Sequence, residues 1–130
     1  MKEIFKVGDV KMHNYLVTIE DVAKFDSGVV HSVCSTFALA REIEWSSRLF
    51  VLDMKEDDEE GIGTAVTINH HSPALVGNEL IIMAQIKSIR GNELICQIEI
   101  KSGERLVATG STGQKILSKV KIEKLFSSLD

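Results

Sequence analysis

The sequence lacks most of the features that assign a protein class at once. Its 130 residues contain two cysteines, Cys34 and Cys96, and neither belongs to a CxxC pair. Zinc and dithiol redox motifs are therefore not indicated. Positive charge is not in excess: 15 Lys and Arg against 19 Asp and Glu leave a net charge of −4. That balance argues against a nucleic-acid partner, which needs clustered Lys and Arg. It leaves room for a nucleotide-bearing ligand held by local positive charge. No stretch approaches the ~18 apolar residues of a spanning helix. The opening MKEIFKVGDV has no continuous apolar segment of the kind a signal peptide carries. These absences predict a cytoplasmic protein with reduced thiols and no membrane partner.

What is present is ordinary for a soluble domain: 44% apolar and 26% charged residues. The length suits a single domain over residues 1–130. At this size a compact fold buries roughly two thirds of the surface its unfolded chain exposes. A core can then form without disulfides or structural metal. There is no internal repeat and no low-complexity linker, and the acidic run at 56–60 reads as a solvated loop.

Residues 14–22 (NYLVTIEDV) alternate in the manner of a first strand. Residues 25–30 (FDSGVV) read as a loop. Residues 36–50 contain no Gly or Pro and are rich in strong helix formers. Ser35 and Thr36 are both suitable N-caps for that helix. The remainder reads as strands at 63–69, 79–90, 93–101 and 105–117, with turns at Gly91-Asn92 and Ser102-Gly103. In 93–101, Leu94, Cys96, Ile98 and Ile100 share one face. Gly110 and Gly113 inside the last strand predict a bulge or a close backbone approach. The tail, 119–130, is peripheral, either a short amphipathic helix or loose chain. One helix cannot cover both faces of such a sheet. The pattern therefore predicts an α+β fold in which a curved antiparallel sheet wraps one central helix and a second subunit extends the sheet.

Two segments carry a family resemblance. The first is Ser35-Thr36-Phe37-Ala38-Leu39-Ala40-Arg41-Glu42-Ile43-Glu44-Trp45, with a Thr near the helix start and Glu-Trp eight residues on. The second is Gly63-Thr64-Ala65-Val66-Thr67-Ile68-Asn69-His70, followed by a small-residue loop closing at Gly77. Together they resemble the fluoroacetyl-CoA thioesterase-like family of hotdog proteins over about residues 15–117. The resemblance implies a hotdog fold, a homodimer or dimer of dimers, and hydrolysis of an acyl-CoA thioester. It implies catalytic Thr36, Glu44 and His70, and substrate contacts at Ala40, Gly63 and Gly77. It implies no metal and no cofactor apart from the coenzyme A of the substrate. The last strand departs from the family: Ser111-Thr112-Gly113-Gln114 stands where members commonly carry Thr-His-x-Arg.

The residue types fit the chemistry. Thioester hydrolysis needs a carboxylate or His to activate water or to attack directly, and donors aimed at the developing oxyanion. Thr36, Ala40, Glu44 and Ser47 form one narrow helical stripe. Other readings compete. Glu44 could pair with Arg48 or Arg41 as a surface ion pair, Glu42 on another face should be solvated, and Thr36 could serve only as the cap. His70 and His71 should point to opposite sides of a strand, so one at most serves the site. Cys34, just ahead of the helix, is a candidate nucleophile. Asp26 and His31 have the five-residue spacing of hotdog enoyl-CoA hydratases without their Asn-Pro, and a non-catalytic acyl-CoA-binding module is the third alternative.

Overall fold

The computed structural model describes residues 1–25 and 27–129. Its centre is a 19-residue helix, α1 (Thr36–Met54). The side chain of Ser35, with extended backbone, accepts from the Ala38 N–H at 3.0 Å and so starts the helix. The helix runs four residues past the expected end because Val51 and Met54 continue its buried stripe. Leu39, Ile43, Phe50 and Met54 recur near helical spacing and are all at most 1% exposed.

These side chains pack on a five-stranded antiparallel sheet. Strands β5 (Glu79–Arg90), β6 (Glu93–Ser102) and β7 (Arg105–Ser118) form its meander. The turns between them place Gly91 and Gly103 at φ of 60° and 59°, the left-handed region that glycine enters without a Cβ clash. Strand β1 (Val10–Leu16) pairs with β5, and β4 (Glu59–His70) pairs with β7, which gives the order β1-β5-β6-β7-β4. Leu94, Cys96, Ile98 and Ile100 are buried together, as their alternation predicts. Gly110 shows the anticipated close approach: a Cβ there would run into the Thr67 carbonyl oxygen and the Ile43 side chain. The sheet wraps the helix in the expected α+β arrangement.

Several boundaries differ from the sequence pattern. The first strand lies earlier, because Thr18 and Asp21 exchange capping hydrogen bonds that fold residues Ile19–Asp21 into a 3-10 turn. Residues 25–30 are not a simple loop, since β2 (Val22–Phe25) and β3 (Gly28–Cys34) form a two-stranded hairpin. The acidic run divides: Glu59 and Glu60 open β4, and Glu60 is held there by Arg48 at 2.8 Å and Lys55 at 3.6 Å. The tail forms a helix, α2 (Lys119–Ser127), none of whose residues is buried. Strand β4 is an edge strand whose residues from Gly63 to Thr67 are exposed.

Candidate active site

Strict alternation along β4 would place Gly63 and His70, seven residues apart, on opposite faces of the sheet. A β-bulge between Gly63 and Ala65 removes that conflict. Directly paired residues of antiparallel strands share a face. Gly61 and Gly63 pair with Ile116 and Gln114, and Val66, Ile68 and His70 pair with Thr112, Gly110 and Ala108. Ile116, Gln114, Thr112 and Ala108 are buried toward α1, and Gly110 abuts Ile43 of that helix. The extra residue thus turns both ends of β4 toward the helix. His71, next along the chain, points the other way and meets the Thr109 hydroxyl at 2.8 Å.

Thr36 and His70 come together. The threonine hydroxyl and His70 Nδ1 are hydrogen-bonded at 3.1 Å. Ser35 already supplies the helix cap, so the Thr36 hydroxyl is free for this contact. Both residues are exposed. They stand at the start of a helix whose first N–H groups have no intrahelical acceptor and favour negative charge.

Glu44 lies two turns further along α1, about 12 Å from Thr36 along the helix axis. Its carboxylate rests on the bare backbone of Gly63: a Cβ there would lie 2.6 Å from Glu44 Oε1. The surface-pair reading fails on both sides. Arg48 is bonded to Glu60 at 2.8 Å, and Arg41 to Glu42 at 3.0 Å and Asp21 at 3.2 Å. Among the described residues the Glu44 side chain has neither a hydrogen bond nor an ion pair. It borders a cleft of about 360 Å³ with Arg41, Trp45, Arg48, Gly61, Gly63 and Gln114. A second cleft, of about 700 Å³, opens beside Thr36 and includes Phe25, His31, Phe37 and Arg41.

Glu42 is not solvated as its face suggested. It is 7% exposed and bonded by Arg41, with His13 Nε2 at 3.4 Å. Arg41 continues to the Tyr15 hydroxyl at 3.0 Å and to Asp21. Burial alone would raise the Asp21 carboxyl, but hydrogen bonds from the Thr18 N–H, Tyr15 and Arg41 outweigh it and lower its pKa. This network ties α1 to β1 beside the site.

The remaining candidates fall in different places. Ala40 is half-buried on the helix between Thr36 and Glu44. Gly77, at φ 93°, sits in the turn before β5, its N–H donating to the Val17 carbonyl at 2.9 Å. Cys34 is 1% exposed, and burial pushes its thiol up to about 11, which removes the thiolate a nucleophile needs. Asp26, half of the hydratase-like pair, lies outside the described residues; His31 is exposed on β3. The sequence marks Gln114 only as the end of a departure in the last strand and assigns it no site role; it is 3% exposed and donates to the Ser47 hydroxyl at 2.7 Å. The available signal was a polar residue in phase with Thr112 and Ile116 on the buried side of β7.

Residues 17–120 match the model of the fluoroacetyl-CoA-specific thioesterase family. A Thermus thermophilus protein of the thioesterase superfamily is 30% identical, with a TM-score of 0.91 over 97% of this chain and 93% of that one. A fluoroacetyl-CoA thioesterase is 17% identical, with a TM-score of 0.86 over 97% of this chain and 98% of that one. A hot-dog-like protein from Thermanaerovibrio acidaminovorans, also 17% identical, has a TM-score of 0.87 over 97% and 93%. The latter two establish likeness of fold. No curated protein matches the chain. The architecture is that of the hotdog thioesterase superfamily. Within it, the chain belongs to the fluoroacetyl-CoA-specific thioesterase family.

Proposed function

We propose that this acyl-CoA thioesterase hydrolyses small or medium acyl-CoA thioesters through Thr36, His70 and Glu44. The observation that supports this most is the bulge-aligned inner face of β4. It sets the Thr36–His70 pair at one end and an unpaired carboxylate at the other. His70 carries a proton to or from the reacting groups, oriented by the Thr36 hydroxyl. The N–H groups at the start of α1 face the oxyanion that forms when the carbonyl is attacked. Glu44 either attacks the carbonyl, giving an acyl anhydride, or takes a proton from water. Ala40 and Gly63 leave space for the thioester, and Gly77 shapes the loop that closes over it. The reaction uses no metal and no cofactor other than the coenzyme A of its substrate.

Thr36 and Glu44 of one chain, about 12 Å apart along the helix, do not reach one carbonyl at hydrogen-bond distance. We therefore place the complete site between two copies of a single-domain chain. A two-fold axis near the middle of β4 would pair the open edges antiparallel and extend the sheet. It would bring His70 of one copy toward Glu44 of the other. Among the described residues no helix is long and apolar enough to cross a membrane. The two thiols are free and buried, which suits a cytoplasmic enzyme.

Free-thiol release from acetyl-CoA and longer acyl-CoAs tests the activity. Complementation tests the shared site. Glu44→Gln and His70→Ala should each be nearly inactive alone. Mixing equal amounts after subunit exchange should restore about a quarter of wild-type activity, since half the dimers carry one intact site. No recovery, with exchange verified by mass, would place the site within one chain. A wild-type protein that binds acyl-CoA without releasing thiol would leave only a binding module.

A further inference from the structure

We infer that Gln114 is the second acceptor for the hydrolytic water, which it holds against Glu44, and that Glu44 acts on this water as general base. The inference rests on the thioesterase reading above and deepens it.

The orientation of the Gln114 amide follows from its neighbours. Ser47 is fully buried, and its one hydroxyl hydrogen goes to the Glu44 main-chain carbonyl at 3.0 Å. Ser47 can then only accept from Gln114, which sets Nε2 on Ser47 at 2.7 Å. The opposite end of the amide, Oε1, is left without a donor among the described residues. Gln114 itself is 3% exposed, and it lines the same cleft as Glu44, so Oε1 is free to accept from a molecule held there. Arg48 donates to Glu60 through Nη2, and its Nη1, 3.4 Å from where a Gly61 Cβ would stand, makes no hydrogen bond to Gln114.

The same cleft holds Glu44. Glu44 Oε1 lies 2.6 Å from where a Gly63 Cβ would stand, and Gln114 Oε1 lies 3.6 Å from where a Gly61 Cβ would stand. Gly61 and Gly63 are successive same-face positions of β4, about 7 Å apart. Two oxygens that only accept hydrogen bonds therefore border one glycine-floored space. A water molecule fits that chemistry, because it has two hydrogens, one for each oxygen. Both hydrogens engaged, its lone pair is left for the carbonyl carbon.

The step balances. The water oxygen forms a bond to the thioester carbonyl carbon as one proton passes to Glu44. The oxyanion collapses, the C–S bond breaks with its electron pair on sulfur, and the proton is returned to the coenzyme A thiolate. The second hydrogen, on Gln114 Oε1 at the start, stays on the carboxylic acid product.

Three variants test this in the full-length protein, with kcat, KM, melting temperature and pH profile measured on acetyl-CoA. Gln114→Met keeps the volume and removes the acceptor; kcat should fall about tenfold to hundredfold with KM unchanged. Gln114→Glu restores an acceptor, which Ser47 can donate to, and should recover much of that loss. It also sets a second carboxylate beside Glu44, so the acid limb of its pH profile should move to higher pH. Ser47→Ala, which frees the amide to rotate, should lower kcat by a smaller factor and covers the case of a Gln114→Met chain that does not fold. Near-wild-type kcat in Gln114→Met, or losses in kcat and KM that simply follow melting temperature across the set, would overturn the assignment while leaving the thioesterase reading intact. A wild-type protein without thiol release would overturn both.

Discussion

Glu42 and Glu44 stand two residues apart on the same helix, about 200° apart around its axis, and the fold treats them in opposite ways. Glu42 is buried with a partner at each oxygen: Arg41 bonds one, His13 lies beside the other, and Arg41 passes the connection on to Asp21 and Tyr15. Glu44 is exposed, has no side-chain partner among the described residues, and rests on a glycine. A carboxylate that holds elements together has its lone pairs filled by the protein. One that must meet a substrate or water has to be left unfilled, with neighbouring cations drawn elsewhere. Asp21 and Glu60 do that here, occupying the two arginines that could otherwise have neutralised Glu44.

Exchanging chemistry between the two positions should break the symmetry of their names. The largest effect is expected from Glu44→Gln, which should lose about 10²-fold or more in kcat with its melting temperature unchanged. Steady-state kinetics beside a thermal melt check both halves. Glu42→Ala should do the reverse. Removing a buried, bonded carboxylate should cost about 1–3 kcal/mol of stability, read as a lower denaturant midpoint, with a kcat loss smaller than that of Glu44→Gln.

Gly63→Ala sharpens the comparison further. Its Cβ would meet Glu44 Oε1 at 2.6 Å, but the obstructed atom is the tip of a flexible side chain. Stability should change little while kcat drops about tenfold, because a displaced carboxylate loses its aim. A melting loss without a kinetic loss would show that Gly63 serves packing rather than the carboxylate.

The smallest effect is the acid dependence of the paired carboxylates. The Gly61 N–H and the Arg48 guanidinium hold Glu60 down to about 2, and Asp21 is also lowered. Their folded-state values lie below those of the unfolded chain, so their contribution is complete above the ordinary carboxyl range of about 4–4.5. It is lost as pH falls through that range toward about 2. Melting temperature should decline over that window, and Glu60→Gln should flatten part of the decline. The change should be modest, because the Glu60 side chain is 35% exposed and its ion pair is screened by solvent.

Much of the architecture is legible in the sequence alone. The central helix, the β5–β6–β7 meander and the shared face of Leu94, Cys96, Ile98 and Ile100 follow from local signals: an unbroken run of helix formers, strict alternation and turn glycines. The errors have physical causes as well. The first strand lies earlier than the alternation at 14–22 predicts, because Thr18 and Asp21 form a local capping pair that outcompetes extension. The β2–β3 hairpin is not legible in the sequence because Gly28 and its polar neighbours interrupt the alternation of two short strands. The burial of Glu42 is not legible from its helix face, because His13 on β1, which lies beside it, and Asp21, which shares its Arg41, are distant in sequence.

The sequence by itself determined the element types, the α+β class, and the stripe that carries Thr36, Ala40, Glu44 and Ser47, since each depends on neighbours within a few residues. Only the tertiary structure decided which of those side chains are free and what they face. A single extra residue at the bulge after Gly63 reverses the facing of the rest of β4, and so aims His70 at Thr36 and sends His71 to the far side. Nothing local marks that reversal, because a bulge is defined by pairing with another strand. The availability of Glu44 is decided in the same way: it depends on Glu60 and Asp21 holding Arg48 and Arg41, and such competition exists only once the sheet has closed around the helix.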